Sequence, residues 1–334
     1  MRVYKSFTFI LVLLCTLFIP FTQAEESMLT QKPFFTLRIE TKGAFYLAKL
    51  NGVVVFDDNR NGHMLNTEVP VNYYMQTGIN KISLELFPSG DEKFDSANIT
   101  LSLYVNEDEA PESEKKLVSS ITFNGGDHTN GNGIELSMPE MRLDSKNNLK
   151  KSDSGDVVIQ QAKLTPGVIM PGTLMVSQAV SLKVPFPKWG FLEGDEIDFP
   201  LSYQNYMDEI DYWNDKTVNP LHKEYQKIYD LLTSNKLDEV MVLFKERNKE
   251  YDIAMYYPIG TYDRKLRKSF EADLSKYKLK IVASNNAAPY ISDDKKLLKL
   301  GNVGLIYFVN DDDTSFTRYE ILFYKKNGKW IVSR

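Results

Sequence analysis

The twelve residues Asp57-Asp58-Asn59-Arg60-Asn61-Gly62-His63-Met64-Leu65-Asn66-Thr67-Glu68 carry the spacing of a calcium loop. Asp57, Asn59 and Asn61 put oxygen side chains at the first, third and fifth positions, Gly62 allows the turn, His63 takes the seventh position and Glu68 closes the loop. Calcium takes about six to eight hard oxygen donors, which such a loop can wrap around the ion. The flanks read differently. Val53-Val54-Val55-Phe56 and Val69-Pro70-Val71 are strand-like, where a helix-flanked loop is required, and Arg60 places a positive charge inside. The simpler account is a polar loop between two strands.

A second chemistry-bearing stretch is aromatic. Pro185-Phe186-Pro187-Lys188-Trp189-Gly190-Phe191 is followed by Phe199, Tyr203 and Tyr206, and then by Asp208, Glu209, Asp211, Tyr212, Trp213 and Asp215. Trp189, Phe191, Tyr212 and Trp213 are the candidate binding residues, because Trp and Tyr dominate interface hot spots. The competing reading makes these rings the seal between two domains.

No catalytic residue is assigned. The three histidines, His63, His128 and His222, lie far apart and outside any zinc-protease spacing, and no nucleophile elbow or P-loop is present. The Gly- and Asn-rich run 124–133 lacks the strand-then-helix flanks of a phosphate cradle and reads as a loop tip. An enzyme is the less favoured expectation.

The elements that hold these residues fall into two halves. Short β-rich runs, Phe34–Glu40, Phe45–Leu50, Val53–Phe56, Val69–Met75, Ile79–Phe87, Ile99–Val105 and Leu117–Phe123, recur with polar turns between them. Further strand character follows at Val157–Lys163 and Thr173–Val184. This spacing predicts an antiparallel β-sandwich over 25–200, with long polar loops at 106–116 and 124–156. In Ile82-Ser83-Leu84-Glu85-Leu86 apolar and polar side chains alternate, so one face is expected to be buried and the other wet. Asn51-Gly52 and Asn327-Gly328 are hairpin turn signals.

From Asn219-Pro220, read as a helix start, the period becomes helical. Leu221, Tyr225, Ile228 and Leu232 form one apolar stripe, Leu237, Val240, Met241, Phe244 and Tyr251 a second, and Leu266, Phe270, Leu274 and Tyr277 a third. Strands then follow at Lys278–Ala283, Lys296–Leu300, Val303–Val309, Phe316–Tyr324 and Lys329–Ser333. The expected fold class is α+β, with the second domain over 201–334.

Composition limits the function. With 43% hydrophobic and 25% charged residues the chain is globular, and 40 basic against 45 acidic residues argue against a nucleic-acid binder. Residues 1–24 read as a secretion signal: basic Arg2 and Lys5, an apolar run from Phe7 to Ile19, and small Thr22 and Ala24 before Glu25. Cleavage would take the net charge from −5 to −7 and remove Cys15, the only cysteine, leaving no disulfide or thiolate chemistry. No later stretch is apolar enough to span a bilayer. A periplasmic or secreted location is expected.

The order of elements over 219–334, ending in Tyr319-Glu320-Ile321-Leu322-Phe323-Tyr324-Lys325-Lys326-Asn327-Gly328-Lys329-Trp330-Ile331-Val332, resembles the nuclear transport factor two-like, cystatin-like superfamily. The resemblance implies three helices packed on a curved antiparallel sheet, a cone whose interior serves enzymes or pure binding domains. In a cone enzyme His222, Tyr256, Tyr257, Tyr262 and Asp263 are the residues to consider. The first half loosely resembles accessory β-sandwich modules, through Pro70 to Asn72 and Gly78 to Asn80. The reading that follows is an exported, non-enzymatic protein that binds a protein partner in the envelope, such as an immunity-type protein neutralising a toxin. The alternatives are a carbohydrate- or small-ligand-binding module and a cone-fold isomerase or dehydratase. No resident cofactor other than calcium enters these readings.

Overall fold

The computed structural model describes residues 32–43, 45–58, 64–88, 94, 96–126, 134–136, 141–143, 149–151, 157–301, 304–310 and 316–334. The secretion signal, Asn59, Asn61, His63, His128 and most of the loop 124–156 lie outside them.

The period-two segments of the first half form thirteen described strands: β1 (Pro33–Lys42), β2 (Phe45–Leu50), β3 (Val53–Asp58), β4 (Leu65–Pro70), β5 (Gly78–Phe87), β6 (Asn98–Glu107), β7 (Lys116–Asn124), β8 (Ile134–Leu136), β9 (Met141–Leu143), β10 (Leu149–Lys151), β11 (Val157–Ile159), β12 (Lys163–Pro166) and β13 (Leu174–Leu182). One antiparallel sheet runs β4-β1-β6-β7-β8 and the other β11-β13-β5-β2-β3, with β12 also on β13 and β9-β10 a separate ribbon. Leu37 and Ile39 of β1, Leu101 and Leu103 of β6, Ile82 and Leu84 of β5, and Val176 and Val180 of β13 meet in one apolar core. Each such side chain contributes about 1.5–3 kcal/mol when fully buried.

The Asn51-Gly52 turn joins β2 to β3 with φ of 52° and 77°, the left-handed pair that a two-residue hairpin requires. The strand expected over Val69–Met75 stops at Pro70 instead. Asn72 is wholly buried there, where its side chain accepts from Phe35 N at 2.6 Å and donates to Ala254 O at 2.7 Å, so the backbone turns to aim the amide.

The second half begins with helical segments α1 (Tyr203–Asp208) and α2 (Ile210–Trp213), a π turn at Asn214–Val218, and then α3 (Asn219–Thr233), α4 (Leu237–Ala254) and α5 (Thr261–Lys276). The predicted stripes point inward except at Tyr277: Leu221, Tyr225, Ile228 and Leu232 of α3, Val240 and Phe244 of α4, and Phe270 of α5 share a second core, whereas Tyr277 lies just past the end of α5 with extended backbone and is exposed. The α-helix starts at Asn219, as expected, but Asn219 does not cap it. Trp213, Asn214 and Val218 already have right-handed helical backbone, so the path is helical well before Pro220. Pro220 has no N–H to return to the carbonyl four residues back, and the wider π turn sits directly before it.

Seven strands close the chain: β14 (Lys278–Ile281), β15 (Pro289–Ile291), β16 (Leu298–Leu300), β17 (Ile306–Val309), β18 (Phe316–Tyr319), β19 (Phe323–Lys326) and β20 (Lys329–Val332). They pair antiparallel in two sheets, β14-β17-β18 and β15-β16-β19-β20. The single strand expected over Phe316–Tyr324 is therefore two strands in different sheets. The break is held by tertiary bonds: Tyr225 Oη donates to Ile321 O at 2.5 Å, and Leu322 N donates to Arg334 O at 2.6 Å. Asn327 and Gly328 turn β19 into β20 with φ of 52° and 76°, as the dipeptide predicts. The chain is α+β, built from several antiparallel sheets and a group of helices. Among the described residues no helix is long and apolar enough to cross a membrane.

Candidate functional site

The face of β5 expected to be wet is buried. Lys49 of β2 and Ser83 and Glu85 of β5 have no exposed surface; Asp293, in the turn after β15, bonds to Lys49, and the segment after β12 bonds to Glu85. Lys49 Nζ donates to Glu85 Oε2 at 2.6 Å and to Asp293 Oδ1 at 2.8 Å. The other Glu85 oxygen accepts from Val168 N at 2.9 Å and Ile169 N at 2.8 Å. Asp293 N donates to Gly52 O at 3.0 Å, and a Cβ at Gly52 would lie 2.7 Å from that of Asp293. The hairpin glycine thus serves its own turn and the approach of the second half. Paired buried charges add little net stability, but removing one partner leaves the other uncompensated.

Two candidate binding residues belong to this seam. Trp189 and Phe191 are buried in the first core, together with Ala254, Leu297, Leu322 and Tyr324 from the second half. Trp189 Nε1 donates to Met75 O at 2.8 Å. The Arg334 guanidinium lies 5.5 Å and 4.8 Å from the centres of the Trp189 and Phe191 rings. Neither ring offers a free face to a partner; the seal reading describes them.

Asp57 and Glu68, the ends of the calcium-spaced loop, lie on strands of different sheets. Glu68 is paired with Arg38 at 3.0 Å and Lys115 at 2.5 Å. Burial raises the Glu68 pKa, but bonds from Lys115, Thr36 and Arg38 outweigh it and leave the carboxyl below its ordinary range. Asp57 faces the second half, where burial raises its pKa, Lys299 and Arg318 oppose the rise and Glu320 adds to it. Its environment is a seam rather than a cage, and among the described residues no group of three or more His, Cys, Asp or Glu is placed to hold a metal.

The raised Asp57 value has a testable consequence. The native carboxyl keeps its proton to higher pH than the unfolded one, so its contribution to stability falls as pH rises between the two values. Asp57→Asn removes that slope. Its urea midpoint should exceed that of the unaltered chain at pH 7 and match it near pH 3; a lower midpoint at pH 7 would show that attraction to the nearby cations Lys299 and Arg318 dominates.

The residues considered for a cone enzyme are occupied structurally. His222 Nε2 lies 2.9 Å from Val282 O, and Asp263 Oδ1 accepts from Asn248 Nδ2 at 3.1 Å. Tyr256 Oη donates to Pro33 O at 3.0 Å across the seam. Tyr262 packs against Tyr251 with ring centres 4.6 Å apart and planes tilted by 34°, and Lys265 Nζ sits 3.9 Å from the centre of the Tyr257 ring.

Tyr212 and Trp213 form a surface feature. Helix α2 ends on them, and Trp213 packs edge-on against buried Phe199 at 5.5 Å, which fixes its ring. Tyr212 is 53% exposed. The two ring centres lie 4.8 Å apart with planes at 75°, an L-shaped corner. Asp208, Glu209, Ile210 and Asp211 join them in lining an open cleft of about 620 Å³. Lys216 Nζ stands 4.9 Å from the Tyr212 centre and 5.1 Å from the Trp213 centre, and donates to Asp198 Oδ2 at 2.5 Å and Tyr212 Oη at 2.6 Å. These bonds hold the Lys216 pKa above and the Asp198 pKa below their ordinary values. Between residues 198 and 218 there are five acids and one lysine, so the corner favours cations.

Sequence reasoning missed Lys216 and Asp198. The four-residue step from Tyr212 to Lys216 on a helical path was an available signal; nothing local marks Asp198. A second open cleft, of about 690 Å³, is lined by Asn66, Asn98, Thr100 and Asn124 among others, with no aromatic ring among the described residues of its wall. The chain matches none of the known protein families, curated proteins or solved structures with which it was compared.

Proposed function

We propose that this chain is an exported, non-enzymatic binding protein that grips a basic segment of a protein partner in the cell envelope, with Tyr212 and Trp213 as anchors and Asp208, Glu209 and Asp211 as its charged rim. The observation that carries this reading is the open aromatic corner set among acids, a combination of hot-spot residue types and electrostatic complementarity. An immunity-type protein that neutralises a basic toxin is the biological form that fits best. The three helices followed by antiparallel strands support reading the second half as a cone, and the two sheets of the first half support a sandwich. Glycan recognition has the amide- and hydroxyl-rich cleft in its favour but, among the described residues, lacks a ring there on which a sugar would stack.

The test is affinity capture from native envelope extract with residues 25–334 and with its Tyr212→Ala and Asp208→Asn/Asp211→Asn variants. One stoichiometric protein should be held by the unaltered chain and weakened by either variant, roughly tenfold, equivalent to about 1.4 kcal/mol. Equal capture by all three chains, or no stoichiometric protein, would discard the corner as the docking site.

A further inference from the structure

Lys216 occupies the corner in the way a ligand would. Its ammonium lies 5.1 Å from the Trp213 ring centre and at the hydroxyl edge of Tyr212, where it donates to the phenol oxygen, and it also donates to the Asp198 carboxylate. A compact ammonium can meet the indole, the phenol oxygen and the carboxylate from one position, whereas a planar guanidinium lying flat on the indole directs its N–H groups along the ring plane. The contact is also loosely held: the Lys216 side chain is 36% exposed and that of Asp198 72%. Exposed ion pairs of this kind contribute about 0–1 kcal/mol.

Resting on the binding role proposed above, we infer that Lys216 is a built-in occupant of a site for lysine-type ammonium groups, which an incoming ligand ammonium displaces. The ligand class is thereby narrowed from basic segments to lysine-bearing ones. Displaced Lys216 is a competitor at the same rings and adds positive charge beside the ligand. Asp208, Glu209, Asp211 and Asp215 stay available to further lysines on the same segment. Occupancy by Lys216 also shields the corner from isolated cations, because a ligand must bring several charges to outbid a tethered one.

The experiment is calorimetric titration of the unaltered chain, Lys216→Gln and Tyr212→Ala with oligolysine and with oligoarginine of equal length, at an ionic strength of about 0.15 M to screen diffuse attraction. Lys216→Gln should bind oligolysine about three- to fivefold more tightly than the unaltered chain, the factor that matches the worth of an exposed pair. It should prefer oligolysine to oligoarginine, and Tyr212→Ala should lose most of the binding. Oligolysine binding that is equal or weaker in Lys216→Gln overturns the built-in occupant while leaving the basic-partner reading intact. Oligoarginine binding as well as oligolysine overturns the ammonium preference. Failure of both peptides to bind, or binding indifferent to Tyr212→Ala, overturns the reading of the corner itself.

Discussion

Replacing Lys49 by methionine should cost about 3–5 kcal/mol of folding stability, the penalty for leaving a buried charge without its partner. Lys49 and Glu85 have no exposed side-chain surface, and Lys49 also holds Asp293. Methionine fills a similar volume, so the effect reads the charge rather than a cavity. A Lys49→Met/Glu85→Gln chain should recover part of the loss, since Asp293 keeps 21% of its side-chain surface open to water. Urea unfolding at pH 7 decides it. A Lys49→Met midpoint within about 0.5 kcal/mol of the unaltered chain would mean that the seam opens readily and lets water reach Glu85.

The second large effect is expected at Arg334. Its guanidinium pairs with Glu250 at 2.5 Å, donates through Nε and Nη2 to Tyr73 O at 3.1 Å and 2.8 Å, and lies against the rings of Trp189 and Phe191. Arg334→Met should destabilise by about 3 kcal/mol, because Glu250 Oε2 and the part-buried Tyr73 carbonyl both lose a donor, Glu250 keeping Gly190 N at its other oxygen. Arg334→Lys should rescue less than half of this, since an ammonium cannot reproduce the planar fork or its stacking. Trp189 reports the change: it is wholly buried beside Arg334, so a red shift of its emission at low urea would place the first opening at this seam. Full rescue by lysine would show that charge alone matters there.

The two substitutions act on one contact between halves that share the first core. If the halves unfold together, both should lower a single transition; if Arg334→Met splits it into two steps, the second core of Ile228, Phe244 and Phe308 persists without the first.

Much of this was legible locally. The hairpin turns at Asn51-Gly52 and Asn327-Gly328 follow from the left-handed backbone that Asn and Gly adopt at low cost, and the three apolar stripes of α3, α4 and α5 follow from the helical period. Tyr212 and Trp213 were singled out by residue type and acidic surroundings, and the structure puts the two rings side by side with Tyr212 exposed. Trp189 and Phe191 have the same residue types, yet they are sealed inside, because burial depends on what packs over a segment. The calcium spacing matched in sequence, but Asp57 and Glu68 went to different sheets as β3 and β4 took different partners.

The sequence by itself determined which segments are strands, helices and tight turns over most of the described chain, because those preferences arise between neighbouring residues. Only the tertiary structure decided that the polar side of β5 is buried, that the last long strand is broken between two sheets, and that Asp198 meets Lys216 at the aromatic corner. Lys49 and Asp293 are 244 positions apart, and no periodicity carries information over that distance. Their contact exists because the two halves dock in one orientation, and that orientation is chosen by the sum of many side-chain contacts along the seam.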